Sequence, residues 1–429
     1  MAHHVGNVEK RAGTQTNCIL TILFSLSLLS ATPLLQAQSV SRLTRLEGKP
    51  SHARLLGCTP QGAWEFEIDG KPTTLQAADF VRWGNPSDKL GGPILFLTDG
   101  SCLVADEAFT QLQIKDDEVT FDSKSIGENV RLPLQWIEGI MLKPEANTQR
   151  RNLWLEQIRK QPRDRDVALM ENKDRIEGIV IELGEQELQL QGTAGNTLRI
   201  SRKNVKAIAF QPALLKQPEP ADRFLLLQLA DGSSIRAAAW SGVSGKVQVR
   251  TAGDLSGLTF NIPLKKSANQ SQLVGLLPIG FDAVFLSDRK ETLYQHQPFL
   301  SLEWPYHRDR NVLGERLQTG GKFYEKGIGM HPDAELTYQL EQAFKRLDGA
   351  VGIDDSAEEQ GSVIFEVQVE RGDANWQTAF TSRLLRGGDP AEPFSIELKG
   401  VEAIRLKVSH ATEGDTLDRA NWLDVRLLR

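Results

Sequence analysis

Short period-two segments, broken by tight turns, run through most of this chain and are densest in its last third. Ala334-Glu335-Leu336-Thr337-Tyr338 and Ala403-Ile404-Arg405-Leu406-Lys407-Val408 alternate apolar and polar side chains, the pattern of strands with one buried face. Residues 298–429 therefore predict an antiparallel β-sandwich of about 130 residues, an ordinary domain size. Three blocks recur among these strands. The first is Lys326-Gly327-Ile328-Gly329-Met330-His331, followed by Pro332. The second is Val351-Gly352-Ile353-Asp354-Asp355, with Gly361-Ser362-Val363-Ile364-Phe365-Glu366-Val367 behind it. The third runs from Leu417-Asp418-Arg419-Ala420-Asn421-Trp422 to Leu427. On a sandwich, polar blocks of this kind belong to the end loops.

The alternation upstream is organised as a repeat. Ile94-Leu95-Phe96-Leu97-Thr98-Asp99-Gly100-Ser101 has a later counterpart in Leu225-Leu226-Leu227-Gln228-Leu229-Ala230-Asp231-Gly232-Ser233. Asp-Gly is a tight-turn signal between two strands. The expected division is two β repeat units in 43–142, a third in 165–212 and a fourth in 222–280. Each copy of about 45 residues is too small to be secure alone, so stacking would bury the shared apolar faces. The strand pattern loosely resembles small Sm-like barrels. Between the second and third units, the 147–163 segment contains Asn152 to Lys160, which has helical periodicity and reads as a linking helix. The fold class is thus mostly β: a repeat region of small barrel-like units, then a sandwich.

At 429 residues the chain suits two to four domains. Its net charge of -6 supplies no electrostatic footprint for nucleic acid or an anionic membrane. Lys10 and Arg11 precede an apolar run from Cys18 to Ser30, and Leu35-Gln36-Ala37 ends in a small residue. Residues 1–37 read as a secretory signal peptide, with an uncleaved anchor as the rival, and imply a secreted or periplasmic protein. No later stretch is apolar enough to span a bilayer. Cys58 and Cys102 remain after signal removal, a candidate disulfide against two separate thiols.

The three blocks together resemble the NPCBM domain, the carbohydrate-binding module associated with family 98 glycosyl hydrolases, over residues 298–429. The resemblance implies a galactose-binding-like sandwich. This chain carries Arg419 where the family usually has His, and Asn421 where it usually has Asp. His331 could hydrogen-bond sugar hydroxyls or hold its own loop. Trp422 offers either a stacking face to a pyranose or a core filling beside Phe365. Asp418, Arg419 and Asn421 would surround it with planar hydrogen-bonding groups. Asp355 and Asp418 are hard-oxygen groups suited to a structural calcium, or ordinary turn residues; no other cofactor is expected. Nucleophile elbows, zinc-protease helices and phosphate loops are all missing from the sequence. Adjacent Asp354 and Asp355 point to opposite faces of a strand, which disfavours a glycosidase pair. The expected function is non-catalytic binding of a galactose-type or related glycan, free or on a glycoprotein. The alternatives are a structural or protein-interaction module that has lost sugar binding and, further off, an uncharacterised glycoside hydrolase.

Overall fold

In the computed structural model of the chain, the described residues are 40–84, 92–106, 111–145, 151, 154, 163–219, 221–251, 257–264, 272–297, 303–372, 375–411 and 417–429. Almost all regular structure among them is β-strand, as the alternation predicts. The first unit holds β1 (Ser41–Arg45), β2 (Ser51–Cys58), β3 (Trp64–Ile68), β4 (Lys71–Leu75) and β5 (Phe80–Gly84). The second holds β6 (Ile94–Leu97), β7 (Cys102–Val104), β8 (Gln113–Lys115), β9 (Glu118–Ser123), β10 (Gly127–Pro133) and β11 (Ile137–Met141). The third holds β12 (Asp166–Met170), β13 (Arg175–Leu183), β14 (Glu187–Gln191), β15 (Thr197–Ser201) and β16 (Val205–Ala209). The fourth holds β17 (Phe224–Leu229), β18 (Ser234–Val243), β19 (Lys246–Thr251), β20 (Thr259–Pro263) and β21 (Leu273–Ile279).

One device curls each five-stranded sheet. In units one, three and four the first strand lies between the second and the fifth. The second strand carries an extra residue at Leu55/Gly57, Val180/Glu182 and Ala237/Ala239. A bulge bends its strand and raises the local twist, so one long strand serves both halves of a curled sheet. A 3-10 turn precedes the last strand of units one, two and three, at Ala77–Asp79, Leu134–Trp136 and Arg202–Asn204. Trp64, Phe66, Phe80 and Trp83 fill the interior of the first unit.

The units do not all pair in chain order. The last strands pair across units, β11 with β16 and β5 with β21. Unit two thereby joins unit three, and unit one joins unit four. At the second seam a Cβ on Gly84, whose φ is +85°, would come 1.9 Å from the Val274 carbonyl oxygen, so only glycine admits the close approach. The Asp-Gly turns link units two and four. Asp99 and Asp231 accept from the Ser101 and Ser233 amides at 2.8 and 2.9 Å. The Ser101 hydroxyl accepts from Arg236 N at 3.0 Å, and the Ser233 hydroxyl from Val104 N at 2.8 Å. These turn residues therefore stitch two units together.

The C-terminal strands are β22 (Ala283–Phe285), β23 (Leu293–His296), β24 (His307–Arg308), β25 (Leu317–Thr319), β26 (Lys322–Tyr324), β27 (Gly327–Met330), β28 (Ala334–Gln339), β29 (Arg346–Ile353), β30 (Ser362–Glu370), β31 (Gln377–Thr381), β32 (Leu385–Arg386), β33 (Glu392–Glu397), β34 (Ala403–His410) and β35 (Ala420–Leu428). One sheet runs β24-β27-β35-β29-β33 with β22 on the end of β35; the other runs β23-β28-β34-β30-β31 with β32 on β30. Tyr338, Leu347, Phe365, Leu406 and Trp422 belong to the apolar core of this sandwich. The sandwich takes two strands ahead of residue 298. β22 pairs Ala283 with Leu428, and β23 pairs His296 with Ala334. With three and four residues, these strands are too short to show a period of their own.

Cys58 and Cys102 are not bonded to each other. They lie in β2 and at the start of β7, strands of different units. Burial pushes the Cys58 thiol up to about 12, with Glu65 adding to the shift, which makes it a poor nucleophile. Of the 147–163 linking segment only Arg151, Trp154 and Arg163 are described, the first two helical; the rest, and the signal segment 1–37, lie outside the described residues. Among those residues no helix is long and apolar enough to cross a membrane.

The sandwich should therefore need its first two strands. A fragment of residues 283–429 should show a cooperative thermal transition, and one of residues 298–429 should melt lower or not cooperatively. Equal melting temperatures by circular dichroism would overturn this.

Candidate functional site

The three blocks meet at one end of the sandwich because β35 lies between β27 and β29. Met330 and Ile353 both register with Ala420. His331, Asp354 and Arg419 therefore emerge side by side, and the Asp354 amide donates to the Arg419 carbonyl at 2.8 Å.

Asp354 is the hub of this end, only 1% exposed. Its Oδ1 accepts from Asn311 Nδ2 at 3.0 Å, Ser356 N at 3.1 Å and Ser356 Oγ at 2.5 Å. Its Oδ2 accepts from Asn421 Nδ2 at 2.8 Å and Gln318 N at 3.1 Å. A buried carboxylate is tolerable only with its acceptor capacity so filled. Asp355 accepts from the Gly320 and Gly321 amides at 2.7 and 2.8 Å and so fixes the β25–β26 hairpin. Neither carboxylate is offered to a substrate as a glycosidase pair.

Most of the predicted site residues turn out to be internal. Asp418 is buried and accepts from Ser362 N at 2.6 Å. Arg419 Nη1 donates to the Ser356 carbonyl at 2.7 Å, pinning the turn after Asp354. Asn421 is fully buried and also donates to Thr319 Oγ1 at 3.3 Å. Trp422 is fully buried, edge-on to Phe365 at 5.1 Å and Phe394 at 6.1 Å. Its ring is core and cannot act as a stacking platform. The correction follows from strand geometry: neighbours on a strand point to opposite faces, so Trp422 enters the core while Asn421 turns under the β25–β26 hairpin. Asp355 and Asp418 serve backbone amides of different loops. Among the described residues no group of three or more His, Cys, Asp or Glu is placed to hold a metal.

The first block is also structural up to its last residue. Lys326 Nζ contacts Asp288 Oδ1 at 2.5 Å and Asp309 Oδ2 at 2.7 Å. Burial alone would lower its pKa, but the two carboxylates outweigh that and hold it above the ordinary lysine value. Gly329 lies within β27. A Cβ there would come 2.3 Å from the Asn311 backbone carbon.

His331 remains. It is 8% exposed and stacks on Trp304, with centroids 5.1 Å apart and planes 7° apart. His296 meets its edge at 6.0 Å. Trp304 is half-buried. Its amide donates to His296 Nδ1 at 3.2 Å and its carbonyl accepts from Tyr294 Oη at 2.5 Å. His410 Nδ1 lies 2.6 Å from Asp333 Oδ2 at the same end. Trp304 lies in an irregular segment and carries no periodic signal, so it is not among the residues the sequence singles out. The available cue is an aromatic in an irregular segment of a domain that also holds an isolated His.

Residues 283–428 match the NPCBM/NEW2 domain, beginning at the first residue of β22. A 121-residue stretch is 32% identical to alpha-1,3-galactosidase B of Akkermansia muciniphila, covering 27% of this chain and 14% of that protein's length. Two solved structures are also similar. The CBM51 of a Clostridium perfringens GH95, in complex with methyl-galactose, is 22% identical, covers 34% of this chain and 99% of its own, and has a TM-score of 0.30. The tandem CBM51 modules of the family 98 glycoside hydrolase from Streptococcus pneumoniae SP3-BS71 are 13% identical, cover 78% of this chain and 87% of theirs, and have a TM-score of 0.29.

Asn421→Asp should test the hub. The change sets a second carboxylate against Asp354 and should cost about 3 kcal/mol at neutral pH. One carboxyl of such a pair has a raised pKa in the fold. Its stabilising proton is present at low pH and lost as pH rises, so the deficit relative to the parent should shrink on acidification. Thermal melts from about pH 8 to about pH 5 check this; a deficit that does not change with pH would refute it.

Proposed function

We propose that residues 283–429 act as a non-catalytic carbohydrate-binding module, taking a galactose-type or related sugar at the Trp304–His331 end, in a protein exported to the periplasm or outside. The observation that carries this is the half-buried Trp304 stacked on His331 at the loop end of an NPCBM/NEW2 domain. An indole face packs well against the C–H groups of a pyranose. His296 and His410 supply ring nitrogens nearby for hydroxyl contacts. The stretch shared with alpha-1,3-galactosidase B favours a galactose-type ligand. A second reading, a structural or interaction module without sugar binding, draws on Arg419 and Asn421. Both depart from the family's usual residues, and both are committed to internal hydrogen bonds.

Affinity should be weak, millimolar to high micromolar or roughly -4 to -6 kcal/mol, because a single sugar has few atoms to contribute. Titration calorimetry of the full chain with galactose and methyl-galactoside should detect it. Trp304→Ala should abolish the heat with little change in melting temperature. Trp422→Ala should instead lower stability by about 3–5 kcal/mol. A silent parent protein would favour the interaction reading.

For export, the Lys10-Arg11 pair, the apolar run and the Ala37 site support cleavage near residue 37. Edman sequencing of the exported protein should begin close to Gln38. A mature chain starting at Met1 or Ala2 would sink the cleavage claim.

A further inference from the structure

The paired seams of the repeat region create two comparable surfaces that need a cover. Where β11 pairs with β16, Ile94, Phe96, Met141, Val167 and Ala209 form an outer apolar patch, and Trp154 packs on it. Lys206 Nζ sits 5.3 Å above that indole. Where β5 pairs with β21, Val81 and Leu277 are the buried members of the equivalent patch, with Leu226 and Ile279 at its margin. The cover here is the sandwich, which contributes Ala283 and Phe285 of β22 and Leu428 of β35. Val81, Leu277, Phe285 and Leu428 are all at most 4% exposed.

Charged contacts ring this cluster. Arg82 Nη1 meets Asp424 Oδ2 at 2.5 Å, with both side chains largely buried. Arg346 Nη2 donates to the Leu46 carbonyl at 2.7 Å while two of its nitrogens hold Asp348 at 2.7 and 2.9 Å. Arg426 approaches the same Asp348 at 3.6 Å. A buried ion pair does little for net stability, but breaking one half leaves an uncompensated charge. It therefore disfavours other orientations of the two parts. The repeat region and the sandwich accordingly fall within one compact unit.

We propose that the sandwich is a permanent cover of the first–fourth seam, so that repeat region and sandwich unfold together and the Trp304–His331 end is held in one orientation. The strands that reach the interface also set the direction. β35 runs from Ala420 beside His331 to Leu428 in the interface, about 26 Å at roughly 3.3 Å per residue. The loop end therefore faces away from the seam it depends on. This inference rests on the interface and stands whether or not a sugar binds.

Differential scanning calorimetry of the signal-cleaved chain tests it. The parent should show one transition, with calorimetric and van't Hoff enthalpies equal. Val81→Asp, a change on the repeat side and remote from His331, should split that transition into two. Should Val81→Asp fail to fold, Arg82→Ala breaks the ion pair and leaves Asp424 without that partner at the interface, and solution X-ray scattering should then show a broader distance distribution than the parent. Two independent transitions in the parent would overturn the proposal. So would an unsplit profile in Val81→Asp, or scattering by Arg82→Ala identical to the parent's.

Discussion

The end of the sandwich that bears His331 depends on a single buried carboxylate. Asp354 receives five donors from four residues, and each donor belongs to a segment with another task. Asn311 opens the turn that passes beneath Gly329, Gln318 leads the β25–β26 hairpin, Ser356 starts the turn that Arg419 pins, and Asn421 lies on the central strand. An unfilled acceptor here would carry the full desolvation penalty of a charged group. The loops are consequently fixed as a set, and the network is worth more than its separate bonds.

That hub changes the meaning of the three sequence blocks. They are specific because they encode the interior of one fold. Lys326 is an internal cation, Gly329 a point of close approach, Asp354 a satisfied acid and Trp422 a core ring. None of these roles requires a ligand. Alternation and turn signals made the strands and the sandwich legible in the sequence. The site was not legible, because the faces of Asn421 and Trp422 depend on where β35 sits, and because Trp304 meets His331 across 26 intervening positions of sequence.

The repeat region shows the same division between local and distant information. Asp99-Gly100 and Asp231-Gly232 announced their turns correctly. Nothing local announces that Ser101 and Ser233 then reach across to each other's hairpin, or that unit one pairs with unit four. Those pairings reward contacts far apart in sequence, which must overcome loop closure before they stabilise anything. The bulges are similarly hidden: Leu56, Ile181 and Ala238 look like ordinary members of their strands until the partner register shows one residue too many.

Arg419 and Asn421 can now be weighed as departures from the family's usual residues. Asn421 brings an amide donor to Asp354 where an aspartate would bring a second negative charge, and Arg419 reaches a backbone carbonyl. Both changes act on the support beneath the loops. The Trp304–His331 stack lies beyond them, held by Tyr294 and His296 from the opposite sheet. Arg419 and Asn421 are therefore separate from the residues that make the Trp304–His331 stack. The contacts of Arg419 and Asn421 belong to the internal hydrogen-bond network beneath the loops, and the Trp304–His331 stack is made by other residues.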